Sequence, residues 1–489
     1  MLTDTMAPHN STGPDATTDP HSTVPSYGFQ ASASQVKHDS NPALLHRSLA
    51  HQPYTVTRAS GIYLTLDNGR QIIDACGGAA VSCLGHGNEE VIAAGIEQMR
   101  KVSYVHTGAY TTSPAEDLAD SILNGNDYGL EKAFFVSSGS EAMDGALKLA
   151  RQYFYEKGEK GRSQFVARKQ SYHGTTIGAM SIGSNLPRKV PYEPLLLKNV
   201  SHVGPAYAYQ YQHPDEDEEK YVERLIAELE AEFKRLGPGN VVAFIAEPVV
   251  GATSGCTPAP PGYFQGVRRV CDKYGILLIL DEVMCGVGRT GTYFAFEQEE
   301  VVPDIMTIGK GLGGGYAPIA GILVGEKVVD VLKKGTGIFN HGHTYQAHPL
   351  SCATALAVQR IIKRKNLVEN CKKMGEILED LLKKTLQAKK YVGDVRGKGL
   401  FWGVEFVQNQ ETKEPFLPVV EFGYKVQRKA FDMGVAIYPG AATVDGVRGD
   451  HVLIAPPYTI TELELEKIVQ VLETAYDSVE EDVDRQIGN

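Results

Sequence analysis

No run of eighteen apolar residues occurs in this 489-residue chain, so no transmembrane helix is expected, since a span needs about 20 of them. Cysteine is sparse: there are seven, an odd number scattered without CxxC spacing. That excludes a disulfide framework and fits reduced thiols in a reducing compartment. Positive charge is in deficit, with 48 Lys and Arg against 59 Asp and Glu and a net charge of −11. Nucleic acid and anionic membrane are thereby disfavoured as main partners. The N-terminus lacks a basic-then-apolar signal pattern. It carries Asp4, Asp15 and Asp19 and no arginine before Arg47, which disfavours a mitochondrial presequence. A cytoplasmic location is expected, and the Asn10-Ser11-Thr12 sequon reads as chance. There are no internal repeats.

The remaining composition, 42% hydrophobic and 22% charged, is that of an ordinary globular protein. The length exceeds what one core usually holds, so two or three domains are expected. The chain is organised around Ile276 to Gly315. One apolar run, Ile276 to Leu280, stops at Asp281; a second, Ile305 to Ile308, stops at Gly309-Lys310-Gly311. Two strand ends thus present a carboxylate and an amine, and in an open parallel sheet ligands collect at such ends. A lysine wrapped in glycine and apolar residues is partly desolvated, which favours its neutral, nucleophilic form. A buried aspartate can hold a ring nitrogen protonated. Together they suggest a Schiff-base lysine and a pyridinium partner, hence pyridoxal 5′-phosphate.

The pattern L-I-L-D-E-V-x-x-G-x-G-R-T-G followed by P-D-I-x-x-x-G-K-G-x-G-G-G resembles the class III (omega-type) aminotransferases of fold type I, over roughly 41–473. The resemblance implies an α/β architecture. A large domain with a mainly parallel central sheet is joined by a smaller α+β domain from both termini. The expected division is 1–39 as a disordered or arm-like tail, 40–95 and 361–489 as the two parts of the small domain, and 96–360 as the large cofactor-binding domain. The resemblance also implies that Lys310 forms the internal aldimine and that Asp281 pairs with the ring nitrogen, with Val283 beside it. Phe134 to Ala142 reads as a strand giving way to Ser138, Gly139 and Ser140 and opening a helix. Exposed amides there suit a phosphate, although a serine N-cap is common in its own right. Tyr172, in the Tyr172-His173-Gly174 triplet, is implied to stack on the ring, and Glu247, ending the strand 241–246, to support the site. Thr344 is implied to reach the cofactor phosphate of a neighbouring subunit, which means a homodimer with shared sites, or a tetramer. His341, His343 and His348 are not read as metal ligands, and no metal is expected.

Elsewhere periodicity marks helices over 87–102, 141–155, 216–236 and 366–386. Asp67-Asn68-Gly69 marks a hairpin, and Thr461 with Glu464 a capping box before the last helix. Two G-x-G-x-x-G matches, at Gly286 and Gly309, lack the strand and helix context of a dinucleotide site, and the Walker pattern fails. Glutamate-using relatives carry an acid and an arginine at places that here correspond to Ala252 and Leu453. Without a guanidinium the α-carboxylate clamp is missing, which disfavours glutamate and 2-oxoglutarate. Arg448 is the candidate for a mobile substrate arginine, and Met284 stands where many relatives have Gln. Ala80 and Val81, in the small-residue run 76–86, are candidate substrate contacts in a roomy entrance. The expected activity is omega-transamination between a primary amine or omega-amino compound and a keto acid, with pyruvate and alanine, by ping-pong through the Lys310 aldimine. The rivals are a decarboxylating aminotransferase, an aminomutase and, from another class, a nicotinamide-dependent oxidoreductase.

Overall fold

The computed structural model describes residues 43–50, 52–124 and 128–487; the tail expected over 1–39 lies outside them. The two apolar runs form adjacent strands, Leu277–Asp281 and Ile305–Ile308, at the centre of a seven-stranded sheet. The sheet order is Leu130–Val136, Ala320–Gly325, Ile305–Ile308, Leu277–Asp281, Val241–Ala246, Gln164–Arg168, Val200–Val203. All pairs are parallel except the two made by Ala320–Gly325, which runs the other way. Every residue of Val241–Ala246 and of Leu277–Asp281 is buried. Such unbroken apolar strands are what a sheet covered on both faces requires. Leu277 and Ile279 pack with the helix Gly139–Glu156 on one face; Leu278 and Leu280 pack with Phe244 and Phe264 on the other.

Register fixes the chemistry. Asp281 lies opposite Thr307 in the parallel pair, and Lys310 follows three residues later, so carboxylate and amine leave the same sheet edge. The strand Leu130–Val136 ends at that edge too and turns into the helix Gly139–Glu156.

Two four-stranded sheets lie outside this unit. In one, the hairpin Tyr63–Leu66 and Gln71–Asp74 is extended by the C-terminal strand Val435–Ala436, so both ends of the chain share a sheet. The other is antiparallel and contains Val392–Lys398, Phe401–Phe406 and Asp450–Ile454. The helices Leu367–Leu386 and Glu462–Ile487 cover it. Helix starts follow their caps: Asp217 accepts from the Lys220 amide at 2.9 Å, so that helix runs Glu218–Leu236 rather than from 216. Thr461 donates both its amide and its hydroxyl to Glu464, at 2.9 and 2.8 Å.

Two buried arginines tie these parts together. Arg289, from the G-R-T-G motif, donates to the Leu400 and Pro456 carbonyls at 3.0 and 2.6 Å and lies over the Tyr458 ring. Arg396 meets Glu405 at 2.6 Å and Asp394 at 3.0 Å, and donates to Thr257 at 2.9 Å and to the Ser254 carbonyl. Glu405 is fully buried and also accepts from Gln210 at 2.7 Å and from Tyr207. Removing the cation strands a buried carboxylate, which typically costs about 3–5 kcal/mol. Arg396→Met is therefore expected to lower unfolding stability by about that amount, measured by denaturant titration of the full chain; a change within about 0.5 kcal/mol would mean the pair is solvated.

Candidate active site

The three strand ends frame a cavity of about 390 Å³ lined by Ser138, Gly139, Ser140, Tyr172, His173, Glu247, Asp281, Val283 and Lys310. Nine positions spread over 173 residues of sequence are thus brought to one wall system, and Val81 joins them.

Asp281 is held by three donors. Its Oδ2 accepts from His173 Nδ1 at 2.7 Å, and its Oδ1 accepts from the Thr307 hydroxyl and the Val283 amide, each at 3.0 Å. The carboxylate is therefore fixed in orientation while one edge faces the cavity. His173 is buried, and its Nε2 finds no partner among the described residues. The neighbouring Glu282 points the other way, as alternation along a strand requires. It accepts from the Ala295 and Phe296 amides at 2.7 and 2.8 Å, and burial pushes its carboxyl up to about 8.

Lys310 has φ of 43°, a left-handed conformation rare outside glycine. Such strain costs about 1–3 kcal/mol and collects at functional sites. Burial lowers its amine from 10.5 to about 8, against the opposing pull of Cys76, Glu247 and Asp281.

At the helix start, Ser138 accepts from the Glu141 amide at 3.3 Å, while Glu141 accepts from the Ser137 and Ser138 amides at 2.9 and 3.0 Å. Ser138 is thus a true N-cap. The capping box leaves the amides of Gly139 and Ser140 as the first of the helix. A Cβ on Gly139 would stand 2.8 Å from Val283 Cγ1, so the backbone approaches Val283 as no other residue could. Glu247 accepts from the Tyr172 amide at 3.0 Å and the Gly251 amide at 3.1 Å. Burial raises its carboxyl.

The pattern of the class III aminotransferases matches residues 45–476. The chain belongs to that family. It is 48% identical to an uncharacterised aminotransferase of Schizosaccharomyces pombe, over 88% of this chain and 94% of that one. It is 34% identical to the gamma aminobutyrate transaminase 3 of Solanum lycopersicum, covering 86% and 79%. Among solved structures, the omega transaminase from Pseudomonas jessenii in complex with PMP superposes with a TM-score of 0.82 at 32% identity, covering 89% and 94%.

The family implies a pyridoxal or pyridoxamine phosphate cofactor, and the residues of this aminotransferase fit it. The helix start offers amides to an anion, and the Gly139 backbone leaves no space a side chain could share. Asp281 is a rigid acceptor, and Lys310 a desolvated amine. Thr307 was missed in the sequence because a lone threonine inside an apolar strand carries no signal; only its pairing opposite Asp281 reveals it.

Four expected residues stand elsewhere. Thr344 is exposed and lines neither the cavity at Lys310 nor a second one of about 230 Å³ that shares Tyr172, Ala252, Met284 and Lys310 with it. Ala80 is a correction: at φ of 60° it is buried, packed with Cys76, Val249 and Cys256. The turn aims its neighbours Ala79 and Val81 at the cavities instead. Arg448, the candidate mobile arginine, is held elsewhere in this structure. It lies outside both cavities, paired with Asp445 at 2.8 Å and Glu414 at 3.1 Å, because Asp445, three residues away, captures it locally. Leu453 is wholly buried beside Phe401 and lines neither of these cavities. Among the described residues no group of His, Cys, Asp or Glu is gathered to hold a metal, and no helix is long and apolar enough to cross a membrane.

A lysine whose pKa is lowered is neutral, and nucleophilic, above the lowered value and charged below it. Acylation of Lys310 in the cofactor-free chain, followed by peptide mass spectrometry, is expected to rise through a midpoint near pH 8 and then level off. A rise that continues to about 10.5, as for an ordinary lysine, would show the amine to be hydrated.

Proposed function

We propose that this aminotransferase is an omega-transaminase. It moves the amino group of a primary amine or omega-amino compound to a keto acid, with pyruvate and alanine as the exchanging pair, in ping-pong order. The observation that carries the reading is a stretch of cavity wall beside Lys310 that carries no charge. Ala252 and Met284 line it, where a glutamate-using relative is expected to place an acid at the first position, and Leu453 offers no guanidinium. The solved omega transaminases that share the fold support it.

Pyridoxal phosphate, when bound, supplies an aldehyde carbon that exchanges amino groups and a ring that draws electrons from the substrate carbon. Ser138, Gly139 and Ser140 would hold its phosphate at the helix start. Tyr172 would lie against the ring by stacking, and Val283 would fill the space beside it. Asp281 would hold a proton at the ring nitrogen, because His173, Thr307 and the Val283 amide prevent it from turning away. Lys310, as a neutral amine, would hold the cofactor covalently and, when freed, its own Nζ would be the base that carries the proton of the substrate carbon. Glu247 holds the Tyr172 backbone and the 251 loop in place and touches no reacting atom.

Thr344 is read as reaching the phosphate of a neighbouring copy, so that two chains build each site. Its surroundings suit burial by a partner: Tyr104 and Tyr345 are exposed by 40% and 60% and pack edge to face at 6.0 Å. Exposed aromatic clusters of this kind mark association surfaces.

The visible absorption band of the loaded enzyme is expected to fade on adding alanine or an omega-amine and to return on adding pyruvate. Fading with glutamate but not with alanine would overturn the pyruvate assignment. Lys310→Ala is expected to lower turnover by at least about a hundred- to ten-thousandfold while still retaining cofactor through non-covalent contacts. Borohydride reduction followed by mass spectrometry would then find no adduct. Turnover near the parent level would remove Lys310 from the reaction.

A further inference from the structure

A further cavity, of about 230 Å³, lies between the hairpin strands Tyr63–Leu66 and Gln71–Asp74 and the helix Phe422–Asp432. It shares no lining residue with the two cavities at Lys310. One wall stands between. Gly78 lines this cavity and Ala79 the second one; on the helix, Gln427 lines this one and Tyr424 the other. Exposure falls from rim to floor. Val56 is 48% exposed, whereas Leu66, Ile72 and Ala436 are buried. The space is below the ~300–1,000 Å³ of drug-sized pockets, so it suits a small occupant.

Two polar groups interrupt the apolar lining, one from the hairpin and one from the helix. Asp74 is buried. Its Oδ1 accepts from the Gly78 amide at 3.0 Å, and its Oδ2 meets His86 Nε2 at 3.3 Å. A carboxylate oxygen carries two lone pairs, so each can take another donor. Gln427 is wholly buried, and its Oε1 finds no partner among the described residues. An unmet buried acceptor is rare in a native fold and calls for a donor. None of the described lining residues is basic. Arg70 does not line the cavity; it lies over the Phe431 ring at 5.6 Å and donates to the Phe431 and Asp432 carbonyls at 2.9 and 3.1 Å.

We propose that this cavity is a ligand site, separate from Lys310, for a small apolar ammonium compound. The hydrocarbon part lies along Val56, Leu64, Leu66 and Ile72, and the charged nitrogen donates to Asp74 and Gln427. The polar groups set the class. A carboxylate ligand would meet Asp74 with like charge. An alcohol has one hydrogen to give to two acceptors and no charge to set against the carboxylate. An ammonium supplies donors to both, and charge-assisted bonds of this kind are the stronger ones.

The test is calorimetric titration of the loaded full-length enzyme with N-methylpentylamine. As a cation this secondary amine has two N–H donors, and it has no primary amino group to transfer at Lys310. Saturable binding of one molecule per chain is expected, with hexanol and hexanoate binding more weakly. Asp74→Asn keeps an acceptor for the Gly78 amide but removes the charge, and is expected to weaken the amine about 10- to 100-fold. Val56→Phe fills the exposed rim and is expected to abolish binding while keeping the parent's turnover, which shows the fold intact. The proposal fails if the amine does not bind or if hexanol binds as tightly. Binding that both variants leave unchanged would place the amine at Lys310 and overturn it. Binding lost in Val56→Phe but kept in Asp74→Asn would give the cavity to an uncharged apolar occupant and overturn the ammonium assignment.

Discussion

An amine and a carboxylate are held beside one another at the edge of a buried sheet, and most of the structure serves to keep them there. Lys310 and Asp281 leave neighbouring parallel strands whose registers place Asp281 against Thr307. Burial favours the neutral amine of Lys310, while three hydrogen bonds fix the direction of the Asp281 carboxylate. The two groups are thus set by different causes within one cavity. Such a division separates a nucleophile from a charge partner without moving either. It requires a dry, stiff frame, and the wholly buried strands Val241–Ala246 and Leu277–Asp281 provide one.

The frame alone does not close the site. The loop after Glu247 carries Ala252 to the cavity and continues to Ser254 and Thr257, where Arg396 grips it. Arg289 performs the same office for the segments around Leu400 and Pro456. Both arginines are structural staples. A buried guanidinium with carbonyl and carboxylate partners organises several chain segments at once, because its donors diverge in a fixed plane.

Strain follows the same distribution. Besides Lys310, the non-glycine residues Ala80, Gln170, Cys256 and Ala442 hold positive φ around these cavities or the loops that bound them. Gln170 donates to the Ala442 and Thr443 carbonyls at 2.9 and 2.7 Å, so one strained turn is tied to another. Local conformational cost is carried by contacts between segments distant in sequence, which is how a site remains rigid at loops rather than within strands.

The sequence by itself determined the strands, their ends and the residues that stand on them. Ile305–Ile308 and Val241–Ala246 have the limits their apolar runs suggest. Asp281, Lys310, Ser138 to Ser140, Tyr172, His173, Glu247 and Val283 all reach one cavity. These were legible because an apolar run ending in glycine or a charge is a local signal, and each such end meets the same sheet edge. Tertiary structure alone decided what depends on pairing across the chain. Thr307 supports Asp281 only through strand register. Ala80 turns inward because a left-handed backbone, invisible in an alanine, reverses the direction of its side chain. Arg448 is drawn off by Asp445, while Arg188 is carried to the second cavity by a turn whose sequence resembles any surface loop. A charged side chain is long enough to serve either purpose, and only the packing around it fixes which.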